Sequence, residues 1–206
     1  MVAMITMLPM TIAPHIFVEE SARTGQILSI VRSFASHVLF QRGTLLMGRP
    51  VMEHIAARRV LIFGLGGVGG WCAEALVRTG FAHLTIVDSD VICVTNVNRQ
   101  VQATALNVGC IKADELRKRL LEINPRSEIT AIRKAFDEHT CGEFDLARFD
   151  YVVDAIDSLK NKILLIERCV RGGVKFYCSM GAAARLDSTL VRTGTLGETR
   201  VCALAR

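Results

Sequence analysis

The chain has 206 residues, which is enough for one α/β domain and a short flanking segment. Half of the residues are hydrophobic and 22% are charged, a composition that excludes an intrinsically disordered chain. The net charge of +5 suits an anionic partner such as ATP or RNA, although many proteins without such a partner carry a similar charge.

Seven cysteines are spread along the chain, and no two of them form a CxxC pair. Unpaired cysteines within apolar runs are typical of reduced thiols in a cytoplasmic protein, so we expect a cytoplasmic location. Because structural zinc sites are commonly built from CxxC pairs, we also expect no zinc.

Residues 1–18 are apolar, and Pro9 and Pro14 interrupt them. This segment lacks a basic start and is too short and too broken to cross a bilayer, so no association with a membrane is expected. It is either a weak signal peptide or extra sequence ahead of the true start of the domain. We therefore expect residues 1–37 to be an atypical N-terminal extension and residues 38–206 to form the domain.

Helices are predicted between residues 19 and 59, with breaks at Gly43 and Gly48 and a last helix over 51–58. Beyond residue 59, strands alternate with helices. Strands are predicted at 60–63, 84–87, 128–133, 151–153, 174–178 and 189–193. Helices are predicted at 71–78, 111–123 and 158–170, the last with Ser158 as its N-cap. The alternation predicts an α/β fold: a doubly wound, mostly parallel Rossmann-like sheet with helices on both faces and ligands beyond the carboxyl ends of the strands.

A glycine-rich turn between the first predicted strand and the next helix fits the pattern G-x-G-x-x-G. Its residues are Gly64-Leu65-Gly66-Gly67-Val68-Gly69. Gly64 can make the tight turn, Gly66 lets the backbone approach a phosphate, and Gly69 lets helix and strand pack closely. Asp88 ends the next strand about 20 residues on, where a carboxylate can bind ribose hydroxyls. The alternative is a turn that binds nothing, and the turn alone does not separate ATP from NAD.

A polar cluster follows this aspartate, and its candidate nucleotide-binding residues are Asp90, Asn96, Arg99, Gln100 and Lys112. An enzyme that splits ATP between its α- and β-phosphates needs cations here, because charge develops on the pentacovalent phosphorus and on pyrophosphate. Arginine supplies a forked donor, lysine a point charge and asparagine a neutral hydrogen bond. The alternatives are a solvated surface charge for Arg99 and a helix-face charge for Lys112.

A third cluster, Asp154-Ala155-Ile156-Asp157-Ser158, ends the fourth predicted strand. Asp157 can hold Mg²⁺ that bridges phosphates, since Mg²⁺ commonly takes one or two carboxylates plus phosphate oxygens. Its alternative is a carboxylate that stabilises a helix N-terminus through the helix dipole. Asp154 is expected to serve the structure or the edge of the nucleotide.

Together these clusters resemble the ThiF/MoeB/HesA superfamily, the prokaryotic relatives of ubiquitin-activating enzymes, over about residues 40–206. The resemblance implies phosphate binding by the glycine turn, ribose binding by Asp88, phosphate contacts by Arg99 and Lys112, and magnesium binding by Asp157. The family's S/T-N-x-x-R-Q segment matches Thr95, Asn96, Arg99 and Gln100. Arg42 matches an arginine that reaches into the ATP site of a partner subunit, which implies a homodimer.

Within the superfamily, one branch is particularly similar to this chain, that of the tRNA threonylcarbamoyladenosine dehydratases. The similarity lies in the sequences of residues 91–100, 107–109, 123–125 and 153–158. This similarity implies that ATP adenylates the carboxylate of threonylcarbamoyladenosine in tRNA. The side chain then closes on itself, losing AMP, to give a hydantoin or oxazolone. The similarity further implies ATP and Mg²⁺ as cofactors, tRNA as a partner, and a cysteine desulfurase or sulfur acceptor as a second partner.

Two other functions are compatible with the same motifs. The first is an adenylyltransferase for a ubiquitin-like sulfur carrier that ends in Gly-Gly; it would be marked by CxxC pairs and a loop cysteine, for which Cys178 is the nearest candidate. The second is a module that binds nucleotide without turnover. Because members of the family continue past the position of Arg206, we expect the domain to be truncated at its C-terminal end.

Overall fold

The computed structural model describes residues 36–181 and 187–199, with side chains from residue 38 onward. The chain divides into two units, Met1–Phe34 and Ala35–Arg206, and every described residue lies in the second. The predictions for residues 1–18 and for helices before residue 36 fall outside the described residues.

Three short helices precede the sheet: α1 (Ser36–Leu39), α2 (Gln41–Met47) and α3 (Arg49–Ala56). The expected break at Gly43 is wrong, because this glycine lies inside α2, where a Cβ would come within 3.2 Å of the Met52 side chain. Gly48 does separate two helices, with φ of +82°. The third helix starts at residue 49 rather than 51 because the fixed φ of Pro50 suits a first helical turn.

The sheet has five parallel strands: β1 (Arg59–Phe63), β2 (His83–Val87), β3 (Glu128–Ile132), β4 (Tyr151–Asp154) and β5 (Phe176–Cys178). Their order is β3-β2-β1-β4-β5, so the chain winds outward in one direction and then in the other from β1. Phe63 is in register with Val87 on one side and with Asp154 on the other. The carboxyl ends of the three central strands are therefore level, and a crevice opens where the order reverses.

Helices cover both faces of the sheet, as predicted. On one face α4 (Gly69–Thr79) and α5 (Lys112–Ile123) pack against β1, β2 and β3 through a fully apolar cluster that includes Ile62 and Leu116. On the other face α6 (Leu159–Arg171) shares the cover with an irregular segment whose Phe136 and Phe144 rings pack against Phe63. The predicted doubly wound α/β fold is confirmed.

The sixth strand predicted at 189–193 is wrong. Ser188–Leu190 form a short 3₁₀ helix, and Asp187 caps it by accepting hydrogen bonds from the backbone nitrogen and hydroxyl of Thr189. Leu190 and Val191 are exposed, so the β-branched pattern of this segment is not matched by burial. The fifth strand begins at Phe176 rather than at residue 174, because Gly173 adopts φ of +62° and residue 174 is still bonded to the end of α6.

Among the described residues, the structure contains no helix with the length and apolar character needed to cross a membrane.

Candidate functional site

A cleft of about 900 Å³ lies beyond the carboxyl ends of the central strands, where the strand order reverses. This volume is in the range of pockets that hold small molecules and cofactors. Most of the predicted site residues line it together: Gly64, Gly66, Gly67, Asp88, Asp90, Asn96, Arg99, Gln100, Lys112 and Asp157. The glycine turn after β1, the polar cluster that follows β2 and the loop after β4 are far apart in the sequence, and all three line this one cleft.

The glycine turn is fixed by backbone contacts at its two ends and is open in the middle. Gly64 has φ of +84°, and a Cβ on it would lie 2.6 Å from the carbonyl oxygen of Ala155. A Cβ on Gly69 would lie 1.8 Å from the carbonyl oxygen of Gly64, so this glycine packs α4 against the turn rather than facing the cleft. Around Gly66 the nearest atom to a Cβ, on Gln100, is 3.9 Å away. A phosphate therefore has room to approach the backbone at this position.

The Asp88 carboxylate joins the glycine turn to the end of β2. Its Oδ2 atom accepts a 2.7 Å hydrogen bond from the Leu65 backbone nitrogen, and its Oδ1 atom accepts one of 2.8 Å from the Asp90 nitrogen. Each oxygen keeps a further lone pair. The carboxylate is thus oriented by the backbone and still able to accept ribose hydroxyls.

Arg99 lies across the glycine turn. Its alkyl stem would be 3.3 Å from a Cβ on Gly67, and the Trp71 indole donates a 2.9 Å hydrogen bond to its carbonyl oxygen. Its Nη1 atom donates to the Thr95 carbonyl oxygen at 2.7 Å and to the Asn98 Oδ1 atom at 3.2 Å. Within the described residues the Nε and Nη2 donors have no protein partner, so they can serve a ligand. The neighbouring Asn96 uses its Oδ1 atom to accept from the Cys93 nitrogen, so only its amide nitrogen remains for a phosphate.

Lys112 begins α5 and is almost completely buried, with its Nζ atom 2.7 Å from Asp90 Oδ2. The backbone nitrogen of Lys112 also donates to the Asp90 carbonyl oxygen at 3.0 Å. The pair fixes the lysine head at the wall of the cleft. Lys112 is therefore a buried, paired cation rather than a charge exposed to solvent on the surface of the helix.

Asp157 is exposed and lines the same cleft, and it makes no hydrogen bond or ion pair within the described part of the chain. The described residues also hold no group of three or more histidine, cysteine or acidic side chains arranged for a metal ion. A single carboxylate of this kind would suit Mg²⁺ only together with a bound nucleotide, because Mg²⁺ commonly takes its remaining ligands from phosphates and water. The donor set would not by itself hold a metal without nucleotide.

Arg42 is exposed on α2 and does not line the cleft. Leu45 and Leu46, on the same short helix, are among the most exposed apolar side chains of the described residues. This helix therefore presents an arginine beside an uncovered apolar surface.

The sequence did not predict the outer parts of the cleft. Its further lining residues include Lys134, Phe136, Ser158, Asn161, Ser179, Met180 and Gly181. Lys134 follows the end of β3 and Ser179 follows the end of β5, so the rule that ligands bind at carboxyl ends of strands could have found both. Ser158 is the residue that precedes α6, but its side chain makes no capping hydrogen bond and faces the cleft instead.

Asp154 has a structural role and does not line the cleft. It is fully buried and pairs with Lys162, whose Nζ atom lies 2.9 Å from its Oδ2 atom. The Cys178 thiol also donates to Asp154 Oδ2 at 2.9 Å. Burial and this hydrogen bond raise the pKa of Cys178 to about 12, so the sulfur is a thiol and not a nucleophilic thiolate.

The parallel sheet, the glycine turn and the cations around one cleft define a nucleotide-binding α/β protein of the doubly wound class. Within this class the chain belongs to the ThiF family, whose model matches residues 40–202.

The chain is similar to proteins of known activity within this family. It is 35% identical over 172 residues to the tRNA threonylcarbamoyladenosine dehydratase of Escherichia coli, with 84% of this chain and 64% of the relative covered. A crystal structure of the E. coli dehydratase in complex with ATP has a TM-score of 0.81, with 84% of this chain and 71% of that chain covered. The molybdopterin-synthase adenylyltransferase of Haemophilus influenzae is 30% identical, over 66% of this chain and 54% of the relative. The chain thus spans slightly less than two thirds of the dehydratase.

Proposed function

We propose that this chain uses ATP to adenylate the carboxylate of threonylcarbamoyladenosine in tRNA and so promotes its cyclisation. The observation that carries the proposal is the convergence of Arg99, Lys112 and Asp157 on one cleft over the glycine turn. A dinucleotide oxidoreductase does not need two cations at this place, whereas attack on an α-phosphate does. The 35% identity to named dehydratases supports the same substrate.

In the first step a carboxylate oxygen of the substrate attacks the α-phosphorus of ATP, and the bond to the bridging oxygen of pyrophosphate breaks. Arg99 and Lys112 would stabilise the charge that develops on the phosphorus and on the leaving group. The open backbone at Gly66 and the N-terminus of α4 would bind phosphate oxygens. Asp157 would hold Mg²⁺, which supplies a Lewis acid for the phosphate oxygens when it is bound.

In the second step a nucleophile within the same substrate side chain attacks the activated carbonyl, and AMP leaves with the former carboxylate oxygen. The product is the cyclic hydantoin or oxazolone form, and the net change is loss of water from the substrate coupled to cleavage of ATP. Because the second nucleophile belongs to the substrate, the protein only has to hold the two ends in contact. No cysteine thiolate is required, in agreement with the thiol form of Cys178.

We further propose that residues 38–206 act as the nucleotide-binding domain of a cytoplasmic homodimer. Arg42 would complete the ATP site of the partner subunit, and the exposed Leu45 and Leu46 on the same helix support a contact surface there. A cysteine desulfurase or sulfur acceptor is proposed as an additional partner from the family resemblance alone. Mixed dimers of Arg42→Ala and Asp157→Ala subunits should regain activity at one of their two sites, and proven heterodimers without activity would refute the trans role.

ATP–pyrophosphate exchange tests the proposed reaction and separates it from the sulfur-carrier alternative. Exchange is measured with tRNA that carries threonylcarbamoyladenosine, with the same tRNA lacking the modification, and with a carrier protein that ends in Gly-Gly. We expect exchange with the modified tRNA alone. Exchange that requires the carrier and ignores tRNA would establish the alternative, and nucleotide binding without exchange under any condition would make the chain a binding module.

A further inference from the structure

A buried ion pair lies directly beneath the loop that carries Asp157. Lys162 Nζ and Asp154 Oδ2 are 2.9 Å apart, and the two side chains are 1% and 0% exposed. Charges this deeply buried are retained only when every polar atom around them is satisfied. Neither residue lines the cleft, so their role in binding is indirect.

The hydrogen bonds of this pair join the ends of two strands. Lys162 Nζ donates to the Ser179 carbonyl oxygen at 3.0 Å, just after β5, while it holds Asp154 at the end of β4. Asp154 Oδ1 in turn accepts a 3.0 Å hydrogen bond from the Ile156 backbone nitrogen. The pair therefore fixes the first residues of the loop 155–158 relative to both strands.

The same loop is pressed against the glycine turn from its other side. The Ala155 nitrogen donates to the Phe63 carbonyl oxygen at 2.8 Å, and the Ala155 carbonyl oxygen lies only 2.6 Å from the position of a Cβ on Gly64. The Ala155 methyl group lies 3.2 Å from the position of a Cβ on Gly69. A shift of residues 155–158 would therefore change the distance between the glycine turn and Asp157.

We propose that Lys162 and Asp154 are positioning residues that hold the loop 155–158 so that Asp157 faces the metal-bound phosphates of the nucleotide. This inference rests on the proposed function, because it assumes a magnesium–ATP complex in the cleft. The pair acts through the Ile156 and Ser179 backbone, and neither charge touches the substrate. Residues that orient a metal ligand from behind typically change metal affinity by about 10- to 100-fold when they are removed.

The test compares nucleotide binding in the full chain with and without Mg²⁺. Lys162→Met leaves Asp154 buried and unpaired, so Lys162→Met/Asp154→Asn is made beside it to remove both charges at once. Lys160→Met, a change of an exposed lysine on the same helix, is the matched control. Calorimetry gives the affinity for ATP in EDTA, for ATP with Mg²⁺ and for AMP, and thermal unfolding reports the fold.

In the wild type and in the Lys160→Met control we expect Mg²⁺ to tighten the binding of ATP. In the double variant we expect this tightening to fall by about tenfold or more, while the affinities for AMP and for metal-free ATP stay close to those of the wild type. A double variant that is less stable but keeps the full effect of Mg²⁺ would overturn the inference, and so would failure of both variants to fold, since the pair would then be purely structural. A wild type that binds no ATP would instead refute the proposed function itself.

Discussion

The Lys112 ammonium group lies 2.7 Å from the Asp90 carboxylate at the wall of the cleft. The lysine side chain is 8% exposed, whereas the aspartate side chain is 64% exposed, so the carboxylate faces solvent and the cation faces inward. A phosphate that enters the cleft meets a lysine whose position is already fixed by Asp90. Preorganised charge of this kind stabilises a transition state without rearrangement during the reaction.

Replacing Lys112 by Met should lower the rate of adenylation by about 100- to 1,000-fold, the usual effect of removing one such donor. The fold should survive, because the long apolar side chain of methionine fills the same space. Lys118→Met, a change of an exposed lysine on the same helix, is the control and should leave the rate unchanged. The measurement is ATP–pyrophosphate exchange together with thermal unfolding. A Lys112→Met protein with the full rate would show that Lys112 does not act on the phosphates.

The glycine turn allows binding to be separated from folding. Gly66→Ala meets no atom closer than 3.9 Å, so the protein should keep its stability while the new methyl group blocks the phosphate and weakens ATP binding by about tenfold or more. Gly64→Ala should instead unfold at a lower temperature, since its Cβ would lie 2.6 Å from the Ala155 carbonyl oxygen at a positive φ.

Gly142→Ala is the control for both changes, because a Cβ there meets nothing within 4 Å and the residue lies outside the cleft. Calorimetric ATP titration of the three variants measures the effect on binding, and their thermal unfolding measures the effect on stability. Normal ATP affinity in Gly66→Ala would show that phosphates do not approach this part of the turn.

The sequence predicted many of the residues that line the cleft and missed the buried ion pair of Asp154 and Lys162. The glycine turn, Asp88 and Asp157 each follow a largely apolar strand, and parallel strands bring their carboxyl ends together, so local patterns were enough. Lys162 gave no such signal, because in the sequence it is one polar residue of an amphipathic helix. Only the register of β4 beside β5 brings Asp154 and the Ser179 carbonyl group to it.

The sixth strand was predicted wrongly because a local contact, rather than a distant one, decides the conformation of this segment. Residues 189–193 carry threonine and valine, which favour strands, but the Thr189 backbone nitrogen donates a local hydrogen bond to the Asp187 carboxylate, and a 3₁₀ turn forms instead. Strand preference is realised only where side chains pack against neighbours, and Val191 is 75% exposed.

Glu74 should make stability depend on pH in the acid range. Burial raises the pKa of its carboxyl group, but hydrogen bonds from Arg119 and Arg78 more than offset this, so the pKa lies below the ordinary value of 4.5. A carboxyl group with a lowered pKa stabilises the folded state above its unfolded pKa, and the contribution is lost as the pH falls through the folded pKa.

Glu74→Gln should therefore lower the free energy of unfolding by about 1 kcal/mol at neutral pH, and the difference from the wild type should close as the pH falls below 4.5. Urea unfolding across this range measures it, with Glu122→Gln, an exposed change on α5, as the control. A difference that grows on acidification would contradict the role of the two arginines.

The thiol form of Cys178 predicts slow alkylation. Because its pKa is raised to about 12, brief treatment of the native protein with iodoacetamide should modify Cys178 far more slowly than the exposed Cys93 and Cys110. Peptide mass spectrometry gives the rate at each site, and the denatured protein shows the rates without burial. Equal labelling of Cys178 and Cys93 in the native protein would reopen a covalent step at this sulfur.

The most direct measurement of the proposed reaction follows the carboxylate oxygen. Modified tRNA whose threonylcarbamoyl carboxylate carries ¹⁸O at both oxygen atoms is incubated with the protein, ATP and Mg²⁺, and the AMP that forms is analysed by mass spectrometry. Adenylation followed by cyclisation predicts that each AMP carries one ¹⁸O atom from the substrate. AMP without the label, formed while the cyclic nucleoside accumulates, would contradict activation of the carboxylate on the α-phosphate.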